Sequence, residues 1–194
     1  MSKHSQMVFN HLQMPQGTIE IFGTLYRQFC TSAVAEALQL SLHGKTTLVV
    51  QFLKGGISQG VDHPTKLGEN LTWLRPAIGR CIDSPQATDT ELEAVRELWR
   101  FVQTHCDQYD CIILDEIGLA VDWGYVPEVE LIEFLTNKPS GTDVILVGMN
   151  IPQSADSLAD QVTVLRSREA QERVQVQAVT AKQPAAQTVS AIAY

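Results

Sequence analysis

Short runs of β-branched and other apolar residues alternate along this chain with longer segments of helical periodicity. Such alternation is typical of βαβ units, in which helices cover both faces of a parallel sheet. The runs TLVVQFL, CIILD and DVILVG are almost continuously apolar, as buried parallel strands require. We therefore predict an α/β fold with a mostly parallel central sheet of about six strands flanked by helices. The four firm strands are 19–22, 47–53, 111–114 and 144–147, and two weaker ones are 71–74 and 162–165.

Apolar residues at helical spacing occupy three segments between the strands, at 30–42, 89–106 and 128–135. Thr88 precedes the second segment and Glu91 follows three residues later, a pattern that predicts a capping box. Pro127 precedes the third segment, and proline suits the first turn of a helix. These signals predict where the second and third helices begin.

The 194 residues suffice for one compact domain that is stable without disulfides or metals. We predict an N-terminal segment at 1–16, the domain at 17–166 and a C-terminal tail at 167–194. The tail is rich in Gln, Ala, Val and Thr and shows neither a helical stripe nor a firm strand. It is expected to be loosely ordered, with packing onto the domain or a partner as the alternative.

Charge and composition exclude several classes of protein. The 14 Lys and Arg against 22 Asp and Glu give a net charge of −8, the wrong sign for clamping nucleic-acid phosphates. No run of apolar residues is long enough for a membrane span. The four cysteines form no C-x-x-C pair, and the opening residues lack the apolar stretch of a signal peptide. We therefore expect a cytoplasmic protein with reduced thiols that binds neither nucleic acid nor a membrane.

The segment GKTT at 44–47 is similar to the end of a phosphate-binding loop, but its surroundings do not fit one. The signature needs a glycine where this chain has Gln39. A phosphate loop also follows a strand and opens a helix, whereas here a helix is predicted to end near Leu42 and a strand to follow. Gly44 is instead predicted to cap that helix.

A phosphate loop would have to lie between the first strand and the first helix, where the chain reads GTLYRQFCTS at 23–32. Glycines let backbone N–H groups converge on phosphate oxygens, and only the first of these ten residues is glycine. Three bulky side chains are expected to crowd the turn: Leu25, Tyr26 and Gln28. A triphosphate cradle is therefore not expected, although Arg27 and the helix dipole leave weak anion binding open.

Two adjacent carboxylates, Asp115 and Glu116, follow the strand at 111–114. This pattern is typical of a Walker B element, in which the acid pair holds Mg²⁺ and polarises water or substrate. Alternatively, the two residues cap the following segment and contact solvent. The pattern alone leaves both interpretations open.

Read together, several motifs resemble those of ATP:corrinoid adenosyltransferases, which transfer the adenosyl group of ATP to reduced cobalt in a corrinoid. The motifs are GTIEIF at 17–22, LHGK at 42–45, VVQFLKG at 49–55, LDE at 114–116, YVP at 125–127, and SLAD with VT at 157–163. The similarity covers 17–166 and implies a P-loop NTPase-like fold. It further implies ATP with Mg²⁺ and a corrinoid as ligands, and a homodimer, which no feature of the sequence itself requires.

The chain departs from this family in the nucleotide loop. The family's G-N-G-K-G-K-T-T corresponds to 24–31, so that Phe29 stands at the phosphate-binding lysine and Cys30 at the magnesium-binding hydroxyl. The other positions that we assign to this degenerate loop are Thr24, Arg27 and Thr31. The magnesium ligands implied by the resemblance are Asp115 and Glu116, and only if a nucleotide binds.

Two further departures fall at ligand-facing positions. The family's G-F-T-W, whose aromatics help to displace the lower cobalt ligand, corresponds to 79–82, where Arg80 and Ile82 replace the aromatics. Trp73 is a tempting substitute, but core packing in the preceding strand is the expected role. The family's T-G-R corresponds to VGM at 147–149, which removes an arginine expected near the nucleotide.

We therefore expect a divergent adenosyltransferase-like protein that does not bind ATP normally and acts as a non-catalytic binding or regulatory protein. On this interpretation no residue is assigned a catalytic role and no cofactor is assigned. The alternative is an active ATP:cob(I)alamin adenosyltransferase of cobalamin biosynthesis or salvage, in which Arg27 supplies the missing cation. A phosphohydrolase acting on another nucleotide would need the same absent cradle. The sequence names no protein partner.

Overall fold

The computed structural model describes residues 16–27, 31–56 and 58–165. The predicted C-terminal tail and nearly all of the predicted N-terminal segment lie outside these ranges, as do Gln28, Phe29 and Cys30. Residues 1–164 form one compact unit and 165–194 a second, of which only the backbone of Leu165 is described. The predicted domain boundaries stay predictions.

Seven strands form one sheet within the described residues, in the order β3-β4-β2-β5-β6-β1-β7. The strands are β1 (Ile19–Thr24), β2 (Thr47–Gln51), β3 (Thr65–Leu67), β4 (Leu71–Leu74), β5 (Cys111–Asp115), β6 (Asp143–Gly148) and β7 (Gln161–Leu165). The pairs from β4 through β2, β5 and β6 to β1 are parallel, and β3 is antiparallel to β4. The predicted α/β fold with a mostly parallel sheet is confirmed. The predicted six strands are all present, and β3 was missed because three partly polar residues give no apolar run.

The register of the sheet aligns the carboxyl ends of its central strands. Gln51 of β2 lies opposite Asp115 of β5, and Asp115 lies opposite Val147 of β6. Gly23 of β1 in turn lies opposite Gly148 of β6. Residues that follow these strands therefore emerge at one edge of the sheet, which is where open α/β sheets bind ligands.

Five α-helices lie in the described part of the chain. They are α1 (Thr31–Leu42), α2 (Asp89–His105), α3 (Ile117–Asp122), α4 (Glu128–Asn137) and α5 (Gln153–Asp156), and a 3₁₀ turn follows α2. The three predicted helices correspond to α1, α2 and α4. The sequence did not predict α3 and α5, which have six and four residues and are too short to show an amphipathic stripe.

The three helix-boundary signals in the sequence have the expected structure, and Pro127 directly precedes α4. Glu91 N–H donates to Thr88 Oγ1 over 3.3 Å, and Thr88 N–H donates to Glu91 Oε2 over 2.8 Å, which completes the capping box. Gly44 has a φ of +84° and ends the turn after α1, and β2 begins at Thr47. The GKTT segment is therefore a helix-to-strand connection and not a phosphate loop.

Core side chains lie on both faces of the sheet. The smaller cluster lies under α1 and the larger one on the opposite face, so that Val49 belongs to the first while Leu48 and Val50 belong to the second. Burial on both faces explains why β2, β5 and β6 read as continuous apolar runs. Among the described residues, no helix is long and apolar enough to cross a membrane.

Candidate functional site

Four charged side chains meet where β1, β2 and β5 end. Asp115 is the last residue of β5 and Glu116 follows it, while Lys54 lies three residues after β2 and Arg27 three residues after β1. The aligned strand ends bring together residues that are as many as 89 positions apart in the chain. We call these four side chains the carboxyl-edge cluster.

Arg27 and Glu116 form a two-pronged ion pair. Arg27 Nε donates to Glu116 Oε1 over 2.5 Å, and Nη2 donates to Oε2 over 3.1 Å. The Glu116 side chain is 3% exposed and that of Arg27 is 28% exposed. The hydrogen bond to Glu116 raises the pKa of the Arg27 guanidinium above its usual value. Both carboxylate oxygens of Glu116 are thus bound by a cation of the chain itself.

Lys54 neutralises the second acid. Lys54 Nζ donates to Asp115 Oδ2 over 2.6 Å and also lies 4.0 Å from Glu116 Oε2. The same Asp115 oxygen accepts a hydrogen bond from Gln51 Nε2 over 2.6 Å. The side chains of Lys54 and Asp115 are 16% and 6% exposed, so little solvent screens this pair.

Gln51 extends the cluster towards β4. Its Oε1 accepts from Trp73 Nε1 over 3.0 Å and from Arg75 Nε over 2.8 Å. The Arg75 guanidinium lies 5.3 Å from the centre of the Trp73 ring. Trp73 packs against the smaller core cluster, as expected for a residue of β4. Its indole N–H also belongs to the hydrogen-bond network around Gln51.

Sequence reasoning did not single out Gln51, Lys54 or Arg75 as site residues. Gln51 carried a usable signal, since an amide within the apolar run TLVVQFL is buried with the strand and must find partners. Nothing in the local sequence indicates that Arg75 reaches the same amide.

The backbone at Glu116 adopts a left-handed conformation. Its φ of +62° is uncommon for a residue with a side chain, and its N–H donates to the carbonyl of Val147 over 2.8 Å. Glu116 precedes α3, yet its side chain makes no cap hydrogen bond. Asp115 and Glu116 are both buried, so the alternative in which this pair caps the next segment and contacts solvent is wrong.

The predicted nucleotide loop is described only in part. Thr24 is buried, and its hydroxyl donates to the carbonyl of Tyr26 over 3.1 Å. Leu25 and Tyr26 are about half exposed, so much of these two side chains contacts solvent instead of filling the turn. Thr31 begins α1, and its side chain lies outside the described part of the structure, together with Phe29 and Cys30.

Arg80 and Ile82, which correspond to the family's pocket aromatics, are each held by contacts within the chain. Arg80 Nε and Nη2 donate to the two carboxylate oxygens of Glu91 over 2.6 and 3.0 Å, a second two-pronged pair. Ile82 is fully buried, and its N–H donates to the carbonyl of Leu53 over 2.9 Å. Neither position presents an aromatic ring. Met149, where the family has arginine, packs against the larger core cluster.

The acid pair as placed does not fit a divalent cation. Magnesium requires near-octahedral oxygen ligands, but three of the four carboxylate oxygens already accept hydrogen bonds from Arg27, Lys54 or Gln51. An added cation would also be repelled by the two neighbouring side-chain cations. Elsewhere in the described ranges, no group of three His, Cys, Asp or Glu side chains is arranged to hold a metal. The magnesium role of Asp115 and Glu116, conditional on a nucleotide, stays a prediction.

Comparison with known proteins identifies the family. The corrinoid adenosyltransferase of Escherichia coli strain K12 is 28% identical over 156 residues, which cover 79% of each chain. The corrinoid adenosyltransferase CobA of Salmonella typhimurium strain LT2 is 26% identical over 164 residues, again 79% of each chain. A Sinorhizobium corrinoid adenosyltransferase is 29% identical over 134 residues, 62% of this chain and 58% of the relative. The family model for ATP:corrinoid adenosyltransferase BtuR/CobO/CobP matches residues 17–181. Because that match spans most of the sequence, the chain belongs to the ATP:corrinoid adenosyltransferase BtuR/CobO/CobP family.

Proposed function

We propose that this protein is a divergent member of the family that does not bind MgATP in the family's manner and acts as a non-catalytic binding or regulatory protein. The observation that carries the proposal is the neutralisation of both Walker B carboxylates within the chain, by Arg27 and Lys54. The carboxyl-edge cluster consists of two carboxylates and two cations and therefore has no net charge. A magnesium–nucleotide complex would have to displace buried, charge-assisted hydrogen bonds before it could bind.

The sequence of the nucleotide loop supports the same proposal. Phe29 stands where the family has its phosphate-binding lysine, and Cys30 where it has the magnesium-binding hydroxyl. A charge-assisted contact is worth about 1.5–3 kcal/mol, so the loss of the lysine alone weakens binding by roughly tenfold to a hundredfold. The missing glycines remove further backbone donors from the phosphates.

The corrinoid-facing positions support it independently. Arg80 is bound to Glu91 by two hydrogen bonds, and Ile82 is buried against the core. A pocket that displaces a cobalt ligand by placing aromatic rings against the corrinoid has no rings to use at these two positions. The changes in the nucleotide loop at 24–31 and in the segment at 79–82 are therefore both consistent with the loss of an activity that needs ATP and a corrinoid.

The alternative is an active enzyme with an altered loop. Its support is that Asp115 and Glu116 are both present and that the Arg27 guanidinium already lies at the carboxyl edge, 6.0 Å from the centre of the Trp123 ring. In this reading Arg27 leaves Glu116 and binds a phosphate when MgATP arrives. The alternative therefore requires a rearrangement that the leading proposal does not.

Two assays separate these readings. Isothermal titration with MgATP should show no saturable binding in the micromolar range, and ATP with chemically reduced cobalamin should give no light-sensitive carbon–cobalt product above the uncatalysed background. The Escherichia coli relative, assayed in parallel, is the positive control for both measurements. A micromolar dissociation constant for MgATP would overturn the proposal, and product formation in addition would establish the active enzyme.

The proposal includes two further expectations. The protein acts in the cytoplasm, and it forms a homodimer as the resemblance implies. Sedimentation equilibrium at several concentrations tests the dimer, which would be rejected if the mass stayed that of the 21.5 kDa chain.

A further inference from the structure

The Arg27–Glu116 pair has a consequence for cation binding. We propose that Arg27 is an autoinhibitory latch: its guanidinium occupies both oxygens of Glu116 and thereby excludes a divalent cation from the Asp115–Glu116 pair. The inference rests on the proposed function, in which Asp115 and Glu116 are present at the Walker B position but do not hold a metal. It goes further in assigning that exclusion to one side chain.

The geometry of the pair suits a latch. The two hydrogen bonds run from adjacent guanidinium nitrogens to the two oxygens of one carboxylate, so a single side chain blocks the whole group. Arg27 lies on the connection after β1 and is the more exposed partner, whereas Glu116 is buried at the end of β5. The arginine is therefore the partner that can leave without disturbing the sheet.

Removing the Arg27 guanidinium would leave too little positive charge to neutralise both Asp115 and Glu116. Glu116 would keep Lys54 as a neighbour, at 4.0 Å, but that ammonium is already bound to Asp115 at 2.6 Å. Among the side chains that the structure describes at this edge, the two buried carboxylates would then share one cation. A buried carboxylate that has lost its bound cation strongly favours the binding of another cation where the guanidinium was. The space vacated by the guanidinium lies against both Glu116 oxygens, where such a cation would be bound.

The Arg80–Glu91 pair provides a matched control within the same chain. It has the same two-pronged geometry, with distances of 2.6 and 3.0 Å. Glu91, however, also accepts from the N–H and the hydroxyl of Thr88, and it does not adjoin a second carboxylate in the chain. Arg80 also lies 3.4 Å from Asp83, but that side chain is 77% exposed to solvent. Loss of Arg80 therefore leaves Glu91 with two donors and creates no buried acid pair that calls for a cation.

The test measures Mn²⁺ binding without nucleotide, by the electron paramagnetic resonance signal of the free ion. Arg27→Met keeps an unbranched side chain beside Trp123 and should bind Mn²⁺ about tenfold or more tightly than the wild-type chain. Arg80→Met should bind like the wild type, and adding Glu116→Gln to Arg27→Met should abolish the gain. Equal affinity in Arg27→Met and wild type would overturn the latch, as would a gain that survives Glu116→Gln.

A second variant keeps the test decisive if Arg27→Met does not fold. Arg27→Gln is polar but uncharged and cannot engage both oxygens as a cation, so it should also bind Mn²⁺ more tightly than the wild type and should melt at a higher temperature when Mn²⁺ is added. Absence of both effects overturns the proposal. Because the Mn²⁺ measurement contains no nucleotide, its outcome is independent of the MgATP titration. A wild type that binds MgATP would refute the proposed function. The Mn²⁺ affinities of the variants would still test whether Arg27 excludes the cation.

Discussion

Glu116 and Gly148 lie against each other where β5 and β6 end. A Cβ atom added to Gly148 would lie 3.2 Å from the Cα of Glu116, and the φ of Gly148 is +126°. Glu116 is itself left-handed and hydrogen-bonded to Val147, the residue before Gly148. The turn that brings the Glu116 carboxylate to Arg27 thus depends on a residue without a side chain at position 148.

Gly148→Ala should therefore destabilise the protein by about 1–3 kcal/mol, because it combines an unfavourable φ with a tight backbone contact. Urea unfolding followed by circular dichroism measures the change in the free energy of unfolding. Gly141→Ala is the control, since nothing lies within 4 Å of its added Cβ, and it should change stability by less than about 0.5 kcal/mol. Similar losses in the two variants would contradict the explanation.

The sequence predicted the elements whose signals are local. The run TLVVQFL predicted β2 because a strand buried on both faces needs apolar side chains at successive positions. Thr88 and Glu91 predicted the start of α2 because both partners of a capping box lie within four residues. By the same reasoning β3 and α3 were missed, since three and six residues are too few to show a period.

The site was predictable in part. The position of Asp115 and Glu116 after an apolar strand is typical of a Walker B element, and Arg27 was singled out as a cation of the nucleotide loop. Their pairing was not predictable, because it joins residues 89 positions apart and depends on the register of β1, β6 and β5. The burial of both acids likewise depends on how neighbouring elements pack, which no pattern along the chain reports.

Lys54→Met should reduce stability by about 3 kcal/mol. The substitution keeps the apolar stem but removes the ammonium that neutralises Asp115 in a nearly buried pair, and an uncompensated buried charge is strongly destabilising. Guanidinium chloride unfolding at neutral pH measures the loss. Adding Asp115→Asn should recover part of it, because the charge left without a partner is then removed as well.

Lys45→Met is the matched control for this prediction. Lys45 Nζ lies 2.9 Å from Asp143 Oδ2, but the side chains are 45% and 24% exposed, so solvent screens the pair. Its loss should cost about 0–1 kcal/mol. If the Lys45 and Lys54 variants lose the same amount, burial is not what makes the carboxyl-edge pair strong.

The thiols should differ in reactivity according to burial. Cys111 is fully buried in β5, and burial raises the pKa of its thiol to about 12, so almost no thiolate is present near pH 8. Cys81 is exposed. Iodoacetamide should therefore label Cys81 in the native protein at least about a hundredfold faster than Cys111, and unfolding should remove the difference. Peptide mass spectrometry of both sites checks this, and comparable native rates would contradict it.

The Glu91 carboxyl should give the protein an acid-sensitive stability. The N–H of Thr88 and then Arg80 lower the pKa of Glu91 below its ordinary 4.5. A carboxyl whose pKa is lower in the folded than in the unfolded state adds stability above the unfolded value and loses it as the pH falls through the folded value.

Glu91→Gln keeps an oxygen for the capping box but does not titrate, so the stability advantage of the wild type over this variant should be present at neutral pH and shrink below pH 4.5. Urea unfolding of both proteins across this range measures it, and an advantage that stays constant down to about pH 3 would contradict the assignment. In an Arg80→Met background the pH-dependent advantage should be smaller but still present, because the larger cause, the Thr88 N–H, remains.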